Sequence, residues 1–292
     1  MSRMTFMPVF DRQGRFSSLK AAVLIAVILP GLWISWRLAA GQMGAKPITA
    51  ALHETGLWSV RLLLVTLLIT PLRAMTGQNR LLQVRRMLGV SALAYALIHL
   101  GLYVFDLKFD LVKVASEIVL RFYLTIGFAA LMAMAAMGAT SFDSSIRKLG
   151  AERWNRLHSL IYPLALLTLW HGALQSKIDA SEHIVMTGLF LALIGARFLR
   201  RQGKLTPLWL LGLAIATALA TSLVEFGWYA LATGFPAGRV FAANLSWDLA
   251  PRPALIAGLL ALSLPLTAWA TRWFSSVPKP GYTGARQRGV TG

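Results

Sequence analysis

The chain has 292 residues, of which 57% are hydrophobic and only 14% charged, with a mean hydropathy of +0.62. A soluble domain carries roughly 25% charged residues, so this composition excludes a soluble globular protein and predicts an all-α polytopic membrane protein. The formal charge is +18, but the basic residues cluster at the ends of apolar runs, as topology signals and lipid-headgroup contacts do, and no basic motif of a nucleic-acid reader is present.

Eight runs are long enough, or nearly so, to cross a bilayer core of about 30 Å as helices. They cover residues 18–38, 54–72, 87–106, 121–140, 157–175, 183–199, 206–232 and 254–273. The first is not a cleavable signal, because Arg37 stands where small cleavage-site residues belong. Residues 1–17 read as an N-terminal tail. The Gly-, Pro- and Lys/Arg-rich stretch 275–292 reads as a disordered tail.

Lys and Arg set the orientation. The N-terminal tail carries Arg3, Arg12, Arg15 and Lys20. Alternate connections carry Arg73, Arg80, Arg85 and Arg86, then Arg147, Lys148, Arg153 and Arg156, then Arg197, Arg200, Arg201 and Lys204. Arg272, Lys279, Arg286 and Arg288 follow the last run. The opposite side holds Arg37, Lys46, Lys108, Lys113, Arg121, Lys177, Arg239 and Arg252. This alternation predicts both termini in the cytoplasm.

Polar rings inside such runs are costly and mark functional sites, and imidazole is a common haem ligand. His99 lies 13 residues from Arg86 and His171 lies 15 residues from Arg156. At 1.5 Å per residue both sit about 20 Å above the cytoplasmic edge, so they form a candidate pair of axial ligands. Gly89, Ala92 and Ala96 share a face with His99 and would leave room for a flat macrocycle. His158 lies near the cytoplasmic edge, and Pro163 between it and His171 can re-phase the helix. Its counterpart positions on the third run are Arg85 and Arg86, not histidine. Met87, water or no second ligand remain open there. His53 and His183, at the outer ends of the second and sixth runs, read as solvated interfacial residues. Arg61 sits inside the second run, where snorkelling and a cofactor carboxylate or phosphate are competing explanations.

The chain has no cysteine, which excludes disulfides, iron–sulfur clusters and thiolate haem ligation. No two glycines stand two apart, so no G-x-G-x-x-G dinucleotide fingerprint exists.

The run Arg85-Arg86-Met87-Leu88-Gly89 with Tyr95 and His99 resembles the third helix of the ferric-reductase-like membrane domain. Trp58, Arg61, Thr70-Pro71-Leu72-Arg73, Tyr123, Thr125, Gly127, Thr140-Ser141, Leu149-Gly150, Trp154, Leu157-His158, Tyr162 and His171 extend the likeness in order. Within that domain the set resembles the haem-binding membrane subunits of bacterial protein-methionine-sulfoxide reductase systems, over residues 18–200. The resemblance implies one or two b-type haems with His99, His158 and His171 as iron ligands, and an FMN. It also implies electrons drawn from the quinone pool or a flavin reductase, and a periplasmic molybdopterin-containing catalytic subunit that reduces methionine sulfoxide in oxidised proteins. Arg61, Arg73, Arg85 and Arg86 become candidates for propionate, flavin or quinone contacts. On this reading the chain is an electron-transfer subunit, non-catalytic by itself. It has a six-helix haem core at 18–200 and two additional helices at 201–274, beyond the family's usual six; Phe122 also stands where the family has proline. The competing readings are a haem-containing ferric or quinol-dependent reductase with another acceptor, and a haem-free proton-coupled transporter with a histidine relay.

Overall fold

The computed structural model describes residues 9–10, 13–176, 179–244 and 251–276. The readings placed on Arg3, Arg12, Lys177 and Lys279, and on most of the C-terminal tail, lie outside the described residues. Among those described, eight helical segments are long and apolar enough to cross a membrane: Ser18–Ala39, Pro47–Thr76, Asn79–Asp106, Phe122–Ala139, Ala151–Gln175, Ser181–Arg201, Pro207–Ala232 and Pro253–Phe274. The eight apolar runs are thus borne out, with the second and third helices starting several residues earlier than hydropathy alone suggests.

The helices are α1 (Ser18–Ala39), α2 (Pro47–Thr76), α3 (Leu82–Asp106), α4 (Leu111–Leu120), α5 (Phe122–Ala139), α6 (Asp143–Leu149), α7 (Ala151–His158), α8 (Ile161–Gln175), α9 (Ser181–Arg201), α10 (Pro207–Ala232), α11 (Ala237–Ala243), α12 (Pro253–Ala261) and α13 (Ser263–Ser276). Pro47 opens α2 at its first position, where the missing N–H costs nothing and φ is already helical. Gly77 closes it in the left-handed region at φ 69°, which only glycine adopts freely.

Two spans are each built from two helices, and proline explains both breaks. Pro163 has no N–H for the carbonyl of Ser159, and Pro265 none for that of Ala261. The helix is interrupted at Ser159–Leu160 and again at Leu262. The expectation that Pro163 re-phases His158 relative to His171 agrees with the first break.

α2 is the central span, with more than half of its apolar stretch buried. It packs against α1, α3, α8, α9 and α13. Its contact with α3 is the most extensive and is close: Ser59 Oγ donates to the Ala92 carbonyl at 2.8 Å, Ala92 is fully buried, and Gly89 faces Thr66 of α2. Gly89 and Ala92 therefore serve helix packing, which corrects the idea that they make room for a cofactor. The additional helices α10, α12 and α13 form a second layer on α9 and α2. Inside that layer Glu225 is fully buried and ion-paired with Arg252, and it accepts a hydrogen bond from Asn244 Nδ2 at 2.9 Å.

Candidate functional site

A cavity of about 310 Å³ opens among α2, α3, α5, α8 and α9, a volume in the range of small-ligand sites. Apolar side chains, including Leu57, Val60, Leu131 and Met134, wall its deep part. His99 from α3 and His171 from α8 face one another across it, with ring centroids 6.2 Å apart and ring planes at 90°. The inference that two histidines separated by 72 positions share one depth agrees with this contact.

Each ring is held by a backbone carbonyl from a facing helix. His99 Nδ1 lies 2.8 Å from the Leu52 carbonyl and His171 Nδ1 lies 2.8 Å from the Tyr123 carbonyl. A carbonyl only accepts, so each Nδ1 carries the proton and each Nε2 keeps its lone pair. That is the tautomer a metal-ligating histidine uses, and a backbone carbonyl is a usual orienting partner. Two metal–imidazole bonds of about 2 Å in line, together with both ring radii, span about 6 Å. The observed ring separation fits that length.

Glycine makes both approaches feasible. A Cβ on Gly56 would lie 2.9 Å from His99 Nδ1, and one on Gly127 would lie 2.6 Å from His171 Nδ1. Sequence reading missed Gly56 altogether, because a lone glycine in a helix carries no signal until its facing neighbour is known.

His158 does not line this cavity. It ends α7, stacked on Trp154 with ring centroids 3.8 Å apart. Its Nδ1 lies 3.1 Å from the Trp154 carbonyl, which assigns the proton to Nδ1 as before. Its Nε2 is buried and makes no hydrogen bond; the Met137 carbonyl is near but outside bonding geometry. A buried lone pair without a donor is an unfinished interaction. No second histidine stands opposite it, and Arg85 interacts with it electrostatically.

His53 is exposed, as read from the sequence, while the reading of His183 as a solvated residue is corrected, since it is partly buried. Both line the cavity, at the end where Asp179 and Glu182 also reach it. His53 sits inside α2 because that helix begins at Pro47. His183 Nδ1 meets Ser176 Oγ at 3.0 Å, and its ring occupies the space a side chain at Gly172 would need.

None of the four candidate arginines lines the cavity. Arg61 is ion-paired with Glu182 and lies over the Trp58 ring at 4.9 Å. Arg73 Nε donates to Asn79 Oδ1 at 2.8 Å, and Arg86 is ion-paired with Asp143. Arg61 and Arg73 are 12 residues apart on α2, about 18 Å at helical rise. Arg197, counted above among topology charges, is instead buried and donates to the carbonyls of Leu193, at 3.0 Å, and Leu67.

Comparison with known proteins identifies the family. Residues 55–169, which include His99 and His158, match the family described as ferric reductase like transmembrane component. A protein-methionine-sulfoxide reductase heme-binding subunit MsrQ from Xanthomonas axonopodis pv. citri (strain 306) is 41% identical over 180 residues, covering 61% of this chain and 82% of the relative. The subunit of that name from Rhodospirillum rubrum is 37% identical over 200 residues, covering 66% and 94%. No solved structure matches. With a helix-bound histidine pair facing one cavity, eight membrane-length helices and these relatives, the chain belongs to the MsrQ family of ferric-reductase-like, multi-pass membrane proteins.

Proposed function

We propose that this chain is the membrane electron-transfer subunit of a methionine-sulfoxide reductase system, with His99 and His171 as the axial ligands of one b-type haem. The observation that carries the proposal is the shared state of the two rings: Nδ1 spent on a backbone carbonyl, Nε2 free, at a separation that fits one metal ion. Held by two imidazoles, the group would supply one-electron transfer rather than oxygen activation.

The chain's own residues do the rest. The Leu52 and Tyr123 carbonyls fix each ring's orientation, and the apolar wall excludes water and lowers the local dielectric. His158 is the ligand candidate for a second haem nearer the basic end, and its unbonded Nε2 supports that role. The second ligand there is not a histidine. The positive-inside pattern puts Arg73, Arg85 and Arg86 in the cytoplasm and the mouth of the cavity at the periplasmic face of the inner membrane. On this reading the donor would be the quinone pool or a flavin reductase, and His158 and the His99/His171 pair would hold the groups that carry single electrons. The acceptor is a periplasmic molybdopterin-containing catalytic subunit, where methionine sulfoxide is reduced. The relatives' names support the methionine-sulfoxide assignment. The haem core at 18–200 and the added helices at 201–274 are the proposed division of the chain. FMN remains an implication of the resemblance: Arg61, Arg73 and Arg86 are engaged elsewhere and assemble no phosphate cradle, so no step is routed through a flavin.

A reduced-minus-oxidised visible spectrum of the purified chain tests this, with b-type bands expected. His99→Ala and His171→Ala should each remove the same haem component. A colourless protein, or two substitutions that act on different components, overturns the pairing.

A further inference from the structure

The connection between α3 and α5 contains an element that no membrane-length run predicts. Asp110 caps α4 by accepting from the Lys113 N–H at 2.9 Å, the arrangement that starts a helix. The chain reaches this cap through Lys108 and Phe109, both left-handed at φ 55° and 61°. That costly reversal is accompanied by an edge-on contact between Phe109 and Phe105 at 5.8 Å.

One face of α4 is anchored. Val114 is buried, Ile118 lines the histidine cavity, and Glu117 accepts from Tyr103 of α3 at 2.5 Å and from Arg121 at 3.2 Å. Thr125 of α5 donates to the Ile118 carbonyl at 2.6 Å. The other face is open and mainly apolar: Val112 is 82% exposed, Val119 76% and Leu120 80%, with Ser116 exposed among them. Val112 and Val119 are seven residues apart and so share one side of the helix. Exposed apolar side chains grouped on one side of a helix mark a contact surface.

The surroundings identify the occupant. Phe105 of α3, Phe122 of α5 and Trp170 of α8 are all at least half exposed. Phe122 and Trp170 meet edge-on at 6.3 Å. Aromatic residues at span ends form the belt at a membrane–water boundary, so the open face of α4 continues the lipid-facing surface of the spans. Charge adds no alternative partner, since Asp106, Asp110 and Glu117 balance Lys108, Lys113 and Arg121. The contact therefore rests on apolar burial.

We propose that α4 is an interfacial membrane helix, with its Val112–Val119 face seated among lipid acyl chains and its Val114–Ile118 face closing the side of the histidine cavity. Amphipathic helices that lie in the headgroup boundary have this division of faces. The placement holds whether or not haem is bound.

The absence of cysteine makes the test direct. Val112→Cys and Val119→Cys, each carrying a nitroxide, are compared in the full chain in phosphatidylcholine/phosphatidylglycerol vesicles. Leu97→Cys on the exposed side of α3 is the lipid reference and Gln42→Cys in the α1–α2 connection the water reference. Collision with oxygen, which concentrates in lipid, is measured against collision with a water-soluble nickel chelate. An oxygen-to-nickel ratio nearer that of Leu97 than that of Gln42, at both positions, is expected. A ratio nearer that of Gln42 at either position overturns the proposal, because the face then meets water and not lipid. Both sites are exposed, so substitution disturbs no packing.

Discussion

At the scale of the residue, function rests on which nitrogen of each histidine holds the proton, and glycines decide whether the rings reach the carbonyls that settle it. A methyl group on Gly127 would stand 2.6 Å from His171 Nδ1, so the ring must leave the Tyr123 carbonyl. Elsewhere in a helix, Gly→Ala stabilises by about 1 kcal/mol. Gly127→Ala should therefore leave the fold intact while weakening haem retention about 10-fold, as loss of a ligand's orienting partner does. A haemochrome assay per mole of protein checks this. Gly101, with nothing within 4 Å of its would-be Cβ, supplies the control; equal haem loss in Gly101→Ala would sink the explanation. The histidine pair was legible in the sequence because depth follows from residue count. Rotation about each helix axis does not, which is why the sequence puts His183 in solvent and Gly89 and Ala92 on a cofactor face.

At the scale of the element, proline organises the bundle in two ways. Pro163 and Pro265 break their helices near their own starts. Pro71 lies within α2 without ending it, but leaves the Leu67 carbonyl without its i+4 donor. Arg197 of α9 supplies that donor, bonds the Leu193 carbonyl and sits over the Tyr162 ring of α8 at 5.7 Å. One guanidinium thus ties three spans. Arg197→Leu should cost about 2 kcal/mol, the value of a hydrogen bond to a charged donor, measured by thermal unfolding in detergent. Pro71→Ala in the same chain restores an N–H beneath the Leu67 carbonyl and should recover part of that loss. No recovery in the double variant would mean the arginine acts through something other than this carbonyl. In the sequence Arg197 looks like one more basic residue at a span end. Likewise α4 was invisible to a search for membrane-length runs, and Glu225, buried in an otherwise apolar run, was passed over. All three depend on what faces them.

At the scale of the whole molecule, the two ends of the bundle differ in kind, and the proposed direction of electron transfer rests on that difference. One end carries Arg73, Arg80, Arg85, Arg86, Arg147, Lys148, Arg153 and Arg156. The other carries the cavity mouth, with His53, Asp179, Glu182 and His183. Every residue lining the cavity belongs to helices that precede α10 or to their connections, so the additional helices buttress α9 and α2 without building the site. In the orientation proposed above, with positive charge retained on the cytoplasmic side, the cavity mouth would face a periplasmic acceptor. A membrane-impermeant maleimide applied to intact spheroplasts should label Gln42→Cys, on the mouth-end connection, at once. Ser144→Cys, at the basic end within α6, should react only after permeabilisation. The reverse pattern would turn the mouth toward the cytoplasm. The histidine pair would then stand at the entry of the electron path, and a periplasmic partner could not draw from it directly.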